Sequence, residues 1–167
     1  MADRAQPPPP GPRGPLASPG FWLHHAALSW RQAMDDGLKP LGLTHTQFNL
    51  LGAVSWLSRQ QGPPTQQQAA ELSGSDRMMT SKILATLEEN GLLSRTPDPH
   101  DARSKRITLT THGHAVIHQA VQVAAGVDAT LFGAAPDRDR LTAELRQIAA
   151  ARHHHHQPAH PGRALPR

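Results

Sequence analysis

The sequence predicts a mainly helical chain with one small β-hairpin, and three observations favour this fold class. Apolar residues recur at helical spacing in several segments that begin with capping residues. Two of these segments meet at a short turn, Ser73-Gly74-Ser75. Two runs with strand character, Leu92–Arg95 and Arg106–Leu109, then enclose a polar loop. This order predicts a helix-turn-helix lobe with a β-hairpin wing, flanked by further helices.

The two ends of the 167-residue chain differ in composition from its middle. The start contains PPPPGPRGP and the end is HHHHQPAHPGRALPR. Proline-rich and polar tracts bury too little apolar surface to offset the entropy lost on ordering. We therefore expect a disordered leader over residues 1–20, one folded domain over residues 21–152, and a disordered tail over residues 153–167.

Charge placement is more informative than net charge in this chain. The formal charge is +4, but six basic and six acidic residues cancel between residues 60 and 115. Four basic and two acidic residues lie from Arg95 to Arg106, so the wing is locally positive. Local basic groups can contact phosphates even in a lobe that is neutral overall.

Cysteine content and hydropathy limit the chemistry and the compartment. The chain has no cysteine, which excludes disulfides and thiol-based redox sensing. We find no apolar signal segment at the N-terminus and expect no stretch long enough to span a bilayer. These features predict a cytoplasmic protein with no membrane partner.

The first helical segment, Phe21 to Leu38, is apolar around more than one face. It contains Trp22, Leu28 and other large apolar residues, and Gly37 with the following proline is expected to end it. A helix of this kind at the edge of a small domain indicates burial against a partner chain.

Capping boxes predict the next two helices. Thr44 with Gln47 opens a helix whose apolar residues recur at helical spacing to Leu57. Thr65 with Gln68 opens a short helix, which we expect to bury two apolar residues. These two residues are Ala69 and Leu72.

The segment from Asp76 to Asn90, here called the reading helix, follows the turn. Asp76 is expected to cap its start, and Gly91 to supply a left-handed stop. Four residues are expected on its inner side, namely Met79, Ile83, Leu84 and Leu87. After the wing, Thr110 is expected to cap a long helix to about Leu131, and Asp137 to begin a last helix.

An ordered set of residues runs from the reading helix through the wing. Its members are Leu87-Glu88, Asn90-Gly91-Leu92-Leu93, Arg95, Asp101-Ala102-Arg103, Leu109-Thr110 and Gly113. This set resembles the MarR family of bacterial transcription regulators. The match covers about residues 21–148, with a winged lobe over about 44–110 and dimerisation helices over about 21–38 and 111–151.

The resemblance implies an obligate homodimer in which the first and last helices interleave. It also implies repression of a nearby promoter, relieved when a small ligand binds between the dimer region and the DNA-reading lobes. Two reading helices related by a two-fold axis would lie about 10 bp apart on a pseudo-palindromic operator. No cofactor is expected.

The solvent side of the reading helix supplies the first candidate contacts to DNA. These residues are Arg77, Met78, Ser81 and Lys82, with Thr86 one turn further on. Arginine favours guanine, serine and lysine reach base edges or phosphates, and Met78 can pack against a thymine methyl group. Gln66 and Gln67 are candidates for phosphate contacts. The alternative is a solvated helix face with one exposed methionine.

The wing supplies the second group of candidate contacts. The family resemblance places Arg103 in the minor groove, where a planar cation fits narrow, electronegative tracts. Asp101 would orient Arg103 or brace the loop; the alternative is a surface ion pair that contributes almost nothing. Lys105, Arg106 and Arg95 are interpreted as phosphate neighbours or as strand residues with solvated ends. Of these, Lys105 is assigned to DNA and Arg95 to wing support.

An effector site is the least defined prediction. Aromatic and polar residues of the first two helices are the candidates, namely Trp22, His25, Ser29, Trp30, Phe48 and Trp56. An aromatic carboxylate or phenol would fit tryptophan stacking with a histidine or Arg31, partly by analogy with the family's usual ligands. We hypothesise that His25 contacts an anionic effector. The alternative is that these aromatic residues form the dimer core.

Other functions remain as alternatives. His114 and His118 are four residues apart, so they share a helix face and could chelate a metal, with His112 nearby. Without an accompanying cysteine or acidic residue we interpret them as solvated and predict no metal site, which leaves a metal-responsive regulator as an alternative. A winged helix that binds a protein instead of DNA is another. Enzyme motifs are absent from the sequence, which predicts a non-enzyme.

Overall fold

The structure of this protein is a computed structural model that describes residues 14–99, 101 and 103–154. Most of the predicted leader and tail, residues 1–13 and 155–167, lies outside the described residues. For residues 14–20 the structure describes a short 3-10 turn, Pro15–Ala17, and the first residues of a helix.

The described chain is mainly helical with one two-stranded antiparallel hairpin, which confirms the predicted fold class. The elements are α1 (Pro19–Leu38), α2 (His45–Gln61), α3 (Gln66–Ser73), α4 (Arg77–Glu89), β1 (Leu93–Pro97), β2 (Lys105–Leu109), α5 (Thr111–Phe132) and α6 (Arg138–His154). The chain divides into two compact units, up to Val127 and from Asp128 onward.

Local hydrogen bonds begin the helices where the sequence predicts. The hydroxyl oxygens of Thr44 and Thr65 accept the backbone N–H of Gln47 and Gln68 at 3.2 and 3.3 Å, and both glutamine side chains bond back. At the start of the reading helix, a carboxylate oxygen of Asp76 accepts the backbone N–H of Met79 at 2.9 Å. Because each of these bonds spans only three residues, the helix starts are specified locally.

The first unit has one hydrophobic core, to which helices and hairpin both contribute. Its fully buried large side chains include Met34 and Leu38 of α1, and Leu84 of the reading helix. Ile107 contributes to this core from the inner face of β2. Burial of these side chains holds the reading helix and the base of the wing to the same core.

The first helix ends at Leu38, as predicted, but Gly37 lies within the helix and does not mark its end. A Cβ atom at residue 37 would lie only 2.7 Å from Cγ1 of Val123. The glycine therefore permits a close approach between α1 and α5 instead of marking a helix end.

Two predicted core positions are also wrong. Leu72 is 52% exposed and Met79 is 48% exposed. Thr80 takes the inner position instead, fully buried, and its hydroxyl donates to the backbone oxygen of Asp76 at 2.8 Å. This bond satisfies the hydroxyl within the helix, so a polar residue can be buried there at little cost.

The hairpin extends further than the sequence predicts, because Pro97 and Lys105 pair at its outer end. Its second strand also contacts the segment before α3. The backbone N–H of Ile107 donates to the carbonyl oxygen of Pro64 at 2.9 Å, and Thr65 and Arg106 form a β-bridge. The wing is therefore bonded to the start of the helix-turn-helix.

The α5 helix corrects the expectation that no segment could span a bilayer. The helix has 22 residues, and an 18-residue window within it has a mean hydropathy of 1.2, so by length and composition it is apolar enough to do so. Its residues Val116, Ile117 and Ala120 are nevertheless buried in the core of the first unit. A core helix of a soluble domain meets the same criteria of length and composition.

The second unit contains the end of α5 and α6. A carboxylate oxygen of Asp137 accepts the backbone N–H of Arg140 at 2.8 Å, which starts α6 where predicted. Leu145 and Ile148 are exposed along α6.

Candidate nucleic-acid interface

The wing, α3 and the reading helix enclose an open groove, here called the reading groove. Residues from all three elements line it, among them Gln66, Gln67, Arg77, Ser81, Arg103 and Lys105. Five of the seven residues predicted to bind DNA are thus brought together. Four basic and two acidic side chains line the groove, so its local charge is positive.

The other two predicted residues, Met78 and Lys82, lie on the outward face of α4. Met78 is the most exposed large hydrophobic residue described, at 82%. With about 100° of rotation per residue, it lies about 160° around the helix from the buried Thr80. An outward face of this kind is the one that a helix presents to a DNA groove.

The tip of the wing is folded by Asp101. Its carboxylate accepts the backbone N–H of Arg103 at 3.0 Å, and its carbonyl oxygen accepts that of Ser104 at 2.9 Å. In the described part of the chain, Asp101 therefore braces the backbone of the wing tip through these two hydrogen bonds. The alternative was a surface ion pair with Arg103. The Arg103 side chain remains exposed beside the groove.

Arg95 connects the wing to the reading helix. Its guanidinium donates to Glu88 at 2.6 and 2.8 Å, and its backbone N–H donates to the same carboxylate at 2.9 Å. Hydrogen bonding from the Arg95 side chain holds the pKa of Glu88 below its ordinary value. These bonds agree with wing support more closely than with a solvated strand end.

Arg106 differs from the sequence interpretation, because its guanidinium is bonded at both sides. One nitrogen donates to Asp98 at 2.6 Å and another to the carbonyl oxygen of Pro63 at 3.0 Å. The Asp98 side chain is only 4% exposed. Sequence reasoning missed Asp98, which was counted as a loop charge. The signal available in the sequence was the position of Asp98, two residues after the strand partner of Arg106.

The predicted effector residues fall into two groups. Trp22, His25 and Ser29 are exposed on α1, where the indole N–H of Trp22 donates to the carbonyl oxygen of Leu16 at 2.9 Å. Trp30 and Phe48 instead pack against the core. The sixth candidate, Trp56, is exposed on α2.

His45 is a functional candidate that sequence reasoning missed. Its ring lies 4.8 Å from that of Trp30, and its backbone N–H donates to Asp35 at 2.8 Å. Burial lowers the pKa of His45; the nearby Asp35 opposes this shift and Arg31 adds to it. In the sequence His45 is only the residue after a helix cap, and its contact with α1 joins residues that are distant in the chain.

His114 and His118 are exposed on α5. In the part of the chain that the structure describes, no group of three or more histidine, cysteine or acidic residues is arranged to hold a metal ion.

Both the sequence and the fold of this chain are similar to those of known proteins. Residues 43–105 match the sequence profile of the MarR family. An uncharacterized HTH-type transcriptional regulator of Bacillus subtilis strain 168, YdcH, is 31% identical over 135 residues, which cover 81% of this chain and 92% of that protein.

Two solved structures are similar over most of this chain. The M. tuberculosis transcriptional regulator MosR in complex with DNA has a TM-score of 0.71 at 28% identity, covering 84% of this chain and 99% of that one. CouR from Rhodococcus jostii RHA1, bound to p-coumaroyl-CoA, has a TM-score of 0.72, covering 84% and 94%. At 24% identity, the likeness to CouR is one of fold.

Proposed function

Because this chain belongs to the MarR family of transcriptional regulators, we propose that it is a homodimeric repressor that releases its operator when a small ligand binds. It is a DNA-binding regulator and not an enzyme. The cytoplasm, where its operator would be, is its proposed location.

The positive reading groove is the observation that carries the proposal. It gathers Arg77, Ser81, Arg103 and Lys105 beside the outward face of the reading helix. In the proposed complex this helix enters the major groove, where Arg77 and Ser81 reach base edges and Met78 contacts a thymine methyl group. Lys82 and Lys105 contact phosphates, as does Gln66 at the start of α3. MosR, solved with DNA, supports this choice of partner.

Arg103 is proposed to enter the adjacent minor groove. Its side chain is exposed, and the Asp101 brace fixes the backbone from which it projects. A fixed backbone limits the entropy lost when an arginine is ordered against DNA.

Dimerisation is proposed from exposed apolar side chains. On α1 these are Trp22, Leu23 and Leu28, and on α6 they include Ile148. Large exposed apolar side chains of this kind are typical of protein interfaces. A two-fold dimer would present two reading helices to a pseudo-palindrome.

The effector is proposed to be an aromatic acid or phenol. Trp22, Trp30 and Trp56 offer stacking surfaces, and His25 offers a partner for an anion. Loss of the ligand response in His25→Ala, with operator affinity retained, is the expected result. An intact response would contradict the role of His25.

The decisive experiment is fluorescence anisotropy of the full chain with its own upstream DNA and with an unrelated duplex, across a salt series. We expect selective binding that weakens as salt rises. Arg103→Ala should weaken operator binding about tenfold or more, while Lys39→Ala, which removes a positive charge from an exposed site at the end of α1, should change it little. Equally weak binding to both duplexes would instead favour a winged helix that binds a protein.

A further inference from the structure

Arg106 lies on β2, next to the wing tip that is proposed to contact DNA, but its guanidinium is bonded within the chain. Two of its guanidinium nitrogens are used within the chain, one by the Asp98 carboxylate at 2.6 Å and one by the Pro63 carbonyl at 3.0 Å. Asp98 is almost fully buried, so its charge requires a close partner. The Asp98 carboxylate is therefore shielded from solvent within this pair, while the Arg106 side chain stays 34% exposed.

The two partners of Arg106 belong to two different segments beside the reading groove, namely the wing and the residues before α3. Asp98 lies at the base of the wing tip, where its backbone N–H donates to the carbonyl oxygen of Ser104 at 3.0 Å. Pro63 lies three residues before α3, whose first residue Gln66 lines the groove. One side chain thus bridges the wing tip and the start of the helix-turn-helix.

We propose that Arg106 is a positioning residue that fixes the wing tip relative to α3 and thereby places Arg103 for the minor groove. The inference rests on the proposed function, because it requires that Arg103 contacts DNA. Arg106 itself does not need to touch DNA, since its guanidinium is already bonded at both sides.

The bridge depends on the shape of arginine and not only on its charge. A guanidinium has several N–H groups in a rigid plane and can bond two acceptors in fixed directions, whereas lysine offers one flexible ammonium group. Arg106→Lys therefore retains the net charge and the long-range attraction to DNA. It removes the bridge between Asp98 and Pro63. The effect of this substitution on DNA affinity therefore reports positioning separately from charge.

A double-mutant cycle tests the proposal. Operator affinity is measured for the unchanged protein, Arg103→Ala, Arg106→Lys and the combination, well below the melting temperature of each. We expect Arg106→Lys to weaken binding about threefold to tenfold, and to have little further effect once Arg103 is removed, because coupled residues are not additive. A residue that only stabilises the fold would lower the melting temperature without this coupling.

The other outcomes separate the inference from the proposed function. If Arg103→Ala weakens binding but Arg106→Lys does not, or if the two losses are additive, the positioning role is overturned and the wing contact stands. If Arg103→Ala has no effect, the proposed wing contact fails, and the inference fails with it.

A second variant covers the case in which Arg106→Lys does not fold. Asp98→Asn keeps the shape of the side chain while it removes the charge that holds Arg106, and it should give the same coupling to Arg103→Ala. Lys39→Gln, at the exposed end of α1, is the control for charge and should show no coupling. Coupling of Lys39→Gln equal to that of Asp98→Asn would overturn the proposal.

Discussion

The winged lobe and the first half of α1 use their side chains in different ways. In the lobe, two ion pairs join the wing to its surroundings or stiffen it, namely Glu88–Arg95 and Asp98–Arg106. In the first half of α1, the large apolar residues Trp22, Leu23 and Leu28 are exposed. The lobe pairs these four charges internally, whereas this half of α1 leaves large apolar side chains exposed.

The difference has a geometric origin. On α1, Leu23 falls on nearly the same helix stripe as Met34 and Leu38, from the 100° rotation per residue. Met34 and Leu38 are fully buried, but Leu23 is 43% exposed, because it lies about three turns before Met34 and beyond the core. The helix is longer than the core that it packs on, so its first half exposes the apolar surface from which the dimer is proposed.

The largest effect should come from the core of the lobe. Leu84→Ala removes a fully buried side chain of the reading helix and should lower the free energy of unfolding by about 2–5 kcal/mol. Urea denaturation followed by circular dichroism, at fixed protein concentration, measures it. Leu72→Ala is the matched control, because Leu72 is half exposed and should cost about 0.5 kcal/mol or less. Equal losses in the free energy of unfolding for Leu84→Ala and Leu72→Ala would contradict the difference in burial between the two positions.

A smaller effect is expected from α1. Leu28→Lys places a charge in the exposed apolar surface and should raise the dimer dissociation constant about tenfold or more, since burial of a leucine contributes about 1.5–3 kcal/mol. Sedimentation velocity over a concentration series measures it. Gln60→Lys adds the same charge at an exposed site on α2 and should leave the constant unchanged. A monomer at every concentration of the unchanged protein would contradict the proposed dimer.

On the DNA side of the lobe, Lys82→Ala should have a modest and non-selective effect. Loss of one phosphate contact should reduce the slope of log affinity against log salt by about 1, for the operator and an unrelated duplex alike. Anisotropy titrations at four salt concentrations give the slope. A loss confined to the operator would mean that Lys82 reads a base.

The smallest effect concerns His45, where α1 meets the lobe. Burial lowers its pKa in the folded state, so below its ordinary value of 6.5 the unfolded chain binds the proton more readily. Stability is therefore present above pH 6.5 and is lost as the pH falls through the folded pKa. Urea midpoints of the unchanged protein should fall over this range more than those of His45→Gln. If the urea midpoints of the two proteins changed in parallel with pH, this account would be contradicted.

Features that depend on neighbouring residues were predictable from the sequence. The caps at Thr44, Thr65 and Asp76 each close a hydrogen bond within three residues, and each was found where expected. The hairpin was also found, although its strands are longer than predicted. In such features the sequence itself contains both partners at a fixed separation.

Features that depend on distant elements were not predictable. Helix periodicity gives the direction of Leu72 and Met79, but whether another element covers them depends on the whole fold. The contact of Arg106 with Pro63 spans 43 residues, and that of Trp30 with His45 joins two helices. The roles of the predicted DNA and effector residues depend further on molecules outside the chain, and stay predictions.

The junction of α5 with the wing leaves almost no free space. A Cβ atom at Gly113 would overlap the carbonyl oxygen of Leu92, and the hydroxyl of Thr110 donates to the carbonyl oxygen of Gly91 at 2.6 Å while it accepts the N–H of Gly113. Closely packed groups transmit displacement instead of absorbing it. The first turn of α5 and the residues that lead into β1 therefore form one closely packed joint, and a side chain larger than glycine at residue 113 would displace the base of the wing.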